Sequence, residues 1–386
     1  MRFLTVSHFY EAHGGGIERV AAQLCRQFAR DGHAVTWAAS DSDLAPQEPI
    51  RAVPLRCANP IETRTGLPMP IPGLRALRDL SRAIGASDAV IIHDALYLTS
   101  IAAMFLAKLR NKPVVLIQHI AAIEFANSFL RKLIRLANTL VTRPMLHAAK
   151  LRVFISNEVR RQLMGDIQNE RSMLLFNGVD TTIFHPTDIL GRNAVRMAHG
   201  LSPDAQLAIF VGRFVEKKGL SILQEVARSR PELRIFMAGT GPIHPENWGI
   251  SNVEVLGTKS QQSLAELYGA ADFLLLPSVG EGYPLVIQEA MACGLPVICG
   301  QGSALADPNA SAWLRGVMID LMDPIGSASR CNIAIDDLNR AAVDRSLMAE
   351  YAAKSYSWAR MAGAITQSLS RPVEVGHAAS GSLQPG

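Results

Sequence analysis

Two doubly wound α/β domains are the fold class this sequence predicts, and three observations predict it. A short apolar run over residues 3–7 leads through His13-Gly14-Gly15-Gly16 into Ile17, Val20, Ala21, Leu24 and Phe28. That spacing is one apolar helix face at i, i+3, i+4, i+7 and i+11. The same order of strand, Gly-containing loop and helix returns at 207–211, 212–219 and 220–227. The chain has 386 residues, room for two domains of roughly 100–200 residues each.

The first β–loop–α–β unit closes when Asp31-Gly32-His33 stops the helix and residues 34–39 begin a second strand. Such units build parallel sheets with helices on both faces. Further strands are expected at 89–92, 113–117, 152–155 and 173–176, and a Pro-rich loop at 67–72. In the second half, 233–238 is a strand turned by Gly239-Thr240-Gly241-Pro242. Strands at 253–256, 273–276 and 295–298 follow, with helices around 264–268 and 285–292 between them. The expected domains are 1–180 and 187–355, joined near 179–186. Tyr356-Ser357-Trp358, then Met361, Ile365 and Leu369, form the apolar stripe of a last helix over 356–370. Residues 371–386 are rich in Gly, Ser, Pro and Ala, the composition of a disordered tail.

Composition excludes several classes. Hydrophobic residues make up 48% and the mean hydropathy is +0.15. Yet the longest uncharged apolar run, 95–107, has 13 residues, short of the roughly 18 that span a bilayer. The N-terminus is too short in its apolar part for a signal peptide. The five cysteines are scattered, with no C-x-x-C, which reads as reduced thiols in a cytoplasm. Residues 1–186 carry 22 Lys+Arg against 15 Asp+Glu, and residues 187–386 carry 16 against 19. The first half is therefore the anion-attracting one.

Three motifs carry chemistry. Gly14-Gly15-Gly16-Ile17-Glu18 follows the first strand. Its glycines allow close backbone approach, and a helix N-terminus favours an anion; a plain tight turn is the alternative. Arg213 and Lys218 stand five residues apart in Val211-Gly212-Arg213-Phe214-Val215-Glu216-Lys217-Lys218-Gly219. A guanidinium fork and an ammonium at a strand end can clamp a diphosphate; otherwise they are two solvated loop cations. The third block runs Gly280-Glu281-Gly282-Tyr283-Pro284-Leu285-Val286-Ile287-Gln288-Glu289, then Ala-Met-Ala-Cys-Gly-Leu-Pro-Val. Pro284 suits the first helical position. Free N–H groups there can hold a phosphate, with Glu281 and Glu289 on either side to accept hydroxyl hydrogens. Ribose, diphosphate and sugar have that layout. The alternatives are an acidic cap for Glu281 and a solvated helix face for Glu289.

At these residues the chain resembles the retaining GT-B glycosyltransferases of the group 1, family 4 type. Glu281-x7-Glu289 with its Ala-Met-Ala-Cys-Gly-Leu-Pro-Val-Ile continuation matches the signature. Gly-Gly-x-Glu, Asn177-Gly178-Val179-Asp180, Gly212-Arg213-x4-Lys218-Gly219 and Ala238-Gly239-x-Gly241-Pro242 fall in the family's order over about residues 1–370. The resemblance implies two Rossmann-like domains facing a cleft, the last helix crossing back to the first domain. It implies a nucleotide-sugar donor in the C-terminal domain and an acceptor hydroxyl at the N-terminal one.

By the same resemblance, Arg213 and Lys218 bind the diphosphate, Glu289 the ribose hydroxyls and Glu281 the transferred sugar. Backbone at Gly15, Gly16, Gly282, Tyr283, Leu285 and Val286 completes the donor site. A strand-end histidine lies at the sugar; His119 matches best and His93 is its rival. Retention without a carboxylate nucleophile implies a front-face departure, with Arg213 and Lys218 stabilising the leaving diphosphate and His119 and Glu281 orienting the sugar. A nucleotide-sugar epimerase and a non-catalytic sugar-nucleotide-binding subunit are the rival readings.

The chain departs from the pattern in three places. Tyr283-Pro284 stands where Phe-Gly is commonest, Gly14 lacks a preceding Pro, and 299–323 lacks the usual Gly-rich loop. Asp41-Ser42-Asp43 reads as a turn. No cluster has metal-ligand spacing, so no metal or other cofactor is expected. The stretch 125–157 holds Arg131, Lys132, Arg135, Arg143, Lys150 and Arg152 and no acidic residue. Nucleic acid is not an expected partner, because aromatics are not interleaved with these cations. Phe129, Leu130, Leu133, Ile134, Leu136, Leu140 and Val141 alternate with them instead. That is the pattern of a helix lying in an anionic headgroup layer, or of one packed on the core. The first reading places Arg131, Lys132 and Arg135 at the inner face of a plasma membrane, with a lipid-linked acceptor and a role in cell-surface polysaccharide or glycolipid synthesis.

Overall fold

The computed structural model describes residues 1–60, 69–121, 132, 135–165, 171–341 and 343–370. The first half forms β1 (Arg2–Val6), β2 (Ala34–Ser40), β3 (Arg51–Leu55), β4 (Cys57–Ala58), β5 (Ile71–Pro72), β6 (Ala89–His93), β7 (Val114–Gln118), β8 (Leu151–Phe154) and β9 (Ser172–Leu174). Seven of these make one parallel sheet in the order β3-β2-β1-β6-β7-β8-β9. The second half forms β10 (Leu207–Val211), β11 (Arg234–Ala238), β12 (Val253–Gly257), β13 (Phe273–Leu276), β14 (Val297–Gly300) and β15 (Leu314–Val317). They pair in the order β12-β11-β10-β13-β14-β15. Each expected strand is present, within two residues at its ends.

Both sheets wind outward in two directions from their first strand. β1 is flanked by β2 and β6, and β10 by β11 and β13. Open parallel sheets hold ligands beyond the carboxyl ends of the strands at such a reversal. The strand ends there lead to His8, His93, Arg213 and Glu281.

Strand alternation divides the first core in two. Phe3, Val35, Ile91, Val115 and Ile117 face one layer. Leu4, Val90, Ile92 and Leu116 face the other. The last helix, Trp358–Ser370, belongs to the first layer. Met361, Ala362, Ile365 and Leu369 bury there, far from their own half of the sequence. Lys150 Nζ donates to the Leu369 carbonyl at 3.1 Å. Trp358 is half-buried against Gly178, where any Cβ would overlap its ring.

Two expectations need correction, and one strand, β3, was not expected. Residues 71–72 of the expected Pro-rich loop are β5, an antiparallel partner of β4; residues 67–68 lie outside the described residues. β3 carries Pro54 and no clean alternation, yet it pairs with β2. An edge strand tolerates proline because one side of its ladder is unused. Pro284 is not the first helical residue. It takes φ −58°, ψ 132° just outside the helix Leu285–Ala292.

All five cysteines are free thiols, and burial pushes Cys25, Cys293, Cys299 and Cys331 up to about 12. No helix among the described residues is long and apolar enough to cross a membrane. Of the basic stripe, Arg131 and 122–130, 133 and 134 lie outside the described residues, as does the tail 371–386. Lys132 and Arg135 are exposed, as are Leu136 and Leu140.

Candidate functional site

The C-terminal side of the site is built by loops pressed backbone to backbone. A Cβ at Gly239 would overlap the Gly212 carbonyl, and one at Gly241 the Phe214 carbonyl. Gly219 has φ +73°, and a side chain there would strike the Pro277 carbonyl. Only glycine meets both demands. The close approach sets Lys218 beside the loop that follows β13. Lys218 Nζ lies 2.5 Å from Glu281 Oε1, and Ser278 Oγ donates to Glu281 Oε2 at 3.1 Å. Val279 N–H donates to the Lys217 carbonyl at 3.0 Å. Arg213 is exposed at the mouth of the same loop.

The helix Leu285–Ala292 follows directly. Its first residues, Leu285 and Val286, are half-buried, and a helix's first N–H groups have no intrahelical partner. Glu289 is not on a solvated face; only 4% of it is exposed. Its Oε2 accepts from Tyr268 Oη at 3.4 Å. Burial raises its pKa, against the opposing charge of Arg19, whose Nη2 lies 3.6 Å from Glu289 Oε1. Arg19 comes from the first helix, Gly16–Arg30, so this pair crosses between the halves of the chain.

The N-terminal side is a buried polar cluster. Gly14 turns the chain with φ +82°, and Gly15 caps the helix. The Glu18 carboxylate folds back over Gly15, where a Cβ would overlap it. No atom stands within 4 Å of a Cβ at Gly16. Glu18 meets His8 Nε2 at 2.7 Å, both 3% exposed. Burial raises the Glu18 pKa, but the bond and charge of His8 bring it below the usual value. His8 in turn stacks on Tyr97, centroids 3.7 Å apart and planes within 3°.

The two rival histidines touch: His93 Nδ1 lies 3.1 Å from His119 Nε2. Burial pushes His119 down to about 3 and His93 well below its ordinary value. Both are therefore neutral, and one hydrogen sits between them. Asp94, at φ +60°, accepts from Gln118 Nε2 on Oδ1, and the nearby His119 and Ile120 N–H groups favour its charged form. Burial still pushes its carboxyl up to about 8. His93 Nε2, Asp94 Oδ2, Thr99 Oγ1 and Gln118 Oε1 are buried with no partner among the described residues. Unmatched polar capacity is thus concentrated here, which is rare in a folded core.

The two sides meet at Gly282. A Cβ there would overlap the His119 carbonyl oxygen. His119 is therefore the histidine that touches the Glu281–Gly282 loop, with His93 behind it. The structure gathers Lys218, Glu281, Gly282, Glu289 and His119 at one junction. The Tyr283 side chain goes elsewhere, into a buried tyrosine cluster where its Oη lies 2.8 Å from Tyr356 Oη. Asp41 and Asp43 are in the expected turn, with Asp43 Oδ2 3.3 Å from His13. No group of three or more metal-ligating side chains occurs among the described residues. Sequence reasoning missed Arg19, His8, Tyr97 and Asp94. His8 had a signal, its place right after the first strand; Arg19 had none, being one cation on an amphipathic helix.

Two sheets with their reversal points turned to one polar junction define the GT-B class of fold. Sucrose-phosphate synthase from Thermosynechococcus elongatus superposes with TM-score 0.71 at 18% identity, covering 95% of this chain and 98% of its own. Anabaena HepE in complex with UDP-glucose gives 0.68 at 18% identity, covering 96% and 99%. The Glycosyltransferase Family 4 profile matches residues 14–183, and the Glycosyl transferases group 1 profile matches residues 205–333. The chain belongs to the glycosyltransferases of this family 4 and group 1 type. D-inositol 3-phosphate glycosyltransferase of Mycolicibacterium smegmatis is 33% identical over 235 residues, 57% of this chain and 52% of the relative. That of Mycobacterium bovis is 38% identical over 133 residues, 31% and 27%. The matches span about half or less of those relatives' lengths.

Proposed function

We propose that this protein transfers a sugar from a nucleotide-sugar to an acceptor hydroxyl, with retention of configuration and without a metal. One observation carries the reading. Lys218 and Glu281 pair in the loops before one helix at the reversal point of the second sheet, Glu289 lies inside that helix, and Gly282 touches His119. An ammonium, two carboxylates and free helix N–H groups match diphosphate, sugar and ribose in turn. Arg213 and Lys218 stabilise charge on the departing diphosphate, the role a metal would otherwise fill. The diphosphate takes the acceptor's proton as it leaves. Glu281 and neutral His119 hold the sugar.

Glu18 occupies the space over Gly15, so the share of the Gly loop in donor binding falls to the Gly16 N–H. The acceptor lies against the first sheet, where the unmatched polar atoms gather. A hydroxyl-rich acceptor suits them, and the name of the inositol phosphate relatives points to a polyol of that kind. A thermal-shift screen with UDP-, GDP- and ADP-sugars tests the reading, since a ligand bound by the folded state alone raises Tm. No shift with any of them would overturn it.

The same proposal includes a peripheral place on the inner face of the plasma membrane, with a lipid-linked acceptor for polysaccharide or glycolipid synthesis. Its support is Lys132 and Arg135 exposed beside exposed Leu136 and Leu140. Each cation near an anionic leaflet contributes about 1 kcal/mol. Co-sedimentation with anionic liposomes should fall with salt and with Arg131→Glu/Lys132→Glu/Arg135→Glu. Binding that ignores lipid charge, or its absence in wild type, removes this part.

A further inference from the structure

The chain crosses between the domains twice, once around residues 175–186 and once just before the last helix. The two crossings meet at Tyr356. Its carbonyl accepts from the Val179 N–H at 2.9 Å. Its ring stands edge-on to Phe176 at 5.6 Å and to Tyr283 at 5.8 Å. Tyr283 is the residue after Gly282, so the donor loop runs straight into the crossing point.

The hydroxyls are ordered by one carboxylate. Tyr356 Oη and Tyr351 Oη donate to Asp307 Oδ2 at 2.8 and 2.7 Å. A phenol has a single hydrogen to give. Tyr356 has given its own, so Tyr283 Oη donates to Tyr356 across 2.8 Å. Burial holds both phenols well above their ordinary value, which keeps them protonated donors. Asp307 is itself fixed: Oδ1 accepts from the Asn309 N–H at 3.0 Å. The preceding carbonyl, Ala306, accepts from the Asn157 N–H at 2.8 Å, from the N-terminal half. A phenylalanine at 283 would fill the ring site alone. The hydroxyl adds a directed tether.

We propose that Tyr283 is a positioning residue whose hydroxyl, through Tyr356 and Asp307, anchors the Glu281–Gly282 loop at the domain crossing and against His119. The proposal rests on the donor-site reading above. Gly282 leaves no room beside the His119 carbonyl, so an anchored loop transmits its position directly to the end of β7. Nucleotide on one side and the strand end on the other then become ordered together.

The test compares Tyr283→Phe with Tyr351→Phe in the full chain. Tyr351→Phe loses a bond to the same Asp307 oxygen but leaves the Tyr283–Tyr356 hydroxyl pair in place, reaching the loop only through Asp307 and the Tyr356 ring. The probes are UDP, GDP and ADP, with affinity from calorimetry and amide hydrogen exchange at 117–121 and 285–292. Wild type and Tyr351→Phe should show slowed exchange in both segments on binding. At nucleotide concentrations that calorimetry shows to be saturating, Tyr283→Phe should retain the slowing at 285–292 and lose it at 117–121. If the two variants respond alike in both segments, the phenol is merely structural and the proposal is overturned. A wild type that binds none of the three nucleotides overturns the donor site, and this proposal with it.

Discussion

Arg19 Nη2 stands 3.6 Å from Glu289 Oε1, a charge pair that joins the first helix of one domain to the helix Leu285–Ala292 of the other. Its charge opposes the burial that disfavours the ionised form of this carboxylate. Burial raises the Glu289 pKa and Arg19 opposes it. Arg19→Met should therefore raise it further. If ribose hydroxyls donate to this carboxylate, nucleoside diphosphate affinity drops about tenfold, equivalent to about 1.4 kcal/mol. The loss is greater below neutral pH, where the acid form gains. Calorimetry across pH checks this; a loss independent of pH contradicts it.

The two carboxylates should separate in kinetics. Glu289→Ala should weaken nucleoside diphosphate binding itself. Glu281→Ala should leave that binding nearly intact and damage transfer, because Glu281 lies in the loop before the helix Leu285–Ala292 and Glu289 lies inside it. Equal losses of affinity in both variants would contradict the layout.

Arg213→Ala and Lys218→Ala should each lower kcat/KM by about 10²–10³, the scale of one preorganised charge-stabilising donor. Near wild-type transfer by both variants would remove the clamp.

The stability of the fold should depend on Asp94. Its carboxyl is pushed up to about 8 by burial, whereas an unfolded aspartate titrates near about 3.9. Between those values the folded chain holds a proton that the unfolded chain has released. This group's contribution therefore falls as pH rises through that window, by at most about 1.4 kcal/mol per pH unit. Asp94→Asn should remove that slope. Urea unfolding of both proteins at about pH 5 and about pH 8 measures it, and parallel changes in the two would refute the assignment.

The crossing helix should be felt at Gly178. A Cβ there overlaps the Trp358 ring, so Gly178→Ala should cost about 1–3 kcal/mol as overpacking. Trp358→Ala, truncating a half-buried ring, should cost about 3 kcal/mol, the lower end for large aromatics. A Tm unchanged in both would show that the helix is not held at this point.

The sequence by itself determined the parallel sheets, because buried parallel strands are short apolar runs and amphipathic helices repeat at 3.6 residues. It also determined the stretch Gly280–Glu289, where carboxylates, glycines and a helix start stand within one loop. Tertiary structure alone decided what faces what. Nothing local pairs Arg19 with Glu289, 270 positions on; two sheets must first turn their reversal points together. β3 was hidden because its edge position permits Pro54. The same holds for Tyr283: its neighbours in sequence are Gly282 and Pro284, but its hydroxyl answers to Tyr356 and, through it, Asp307. Side-chain direction is set by the packing of distant segments, and that information does not exist at any single position of the chain.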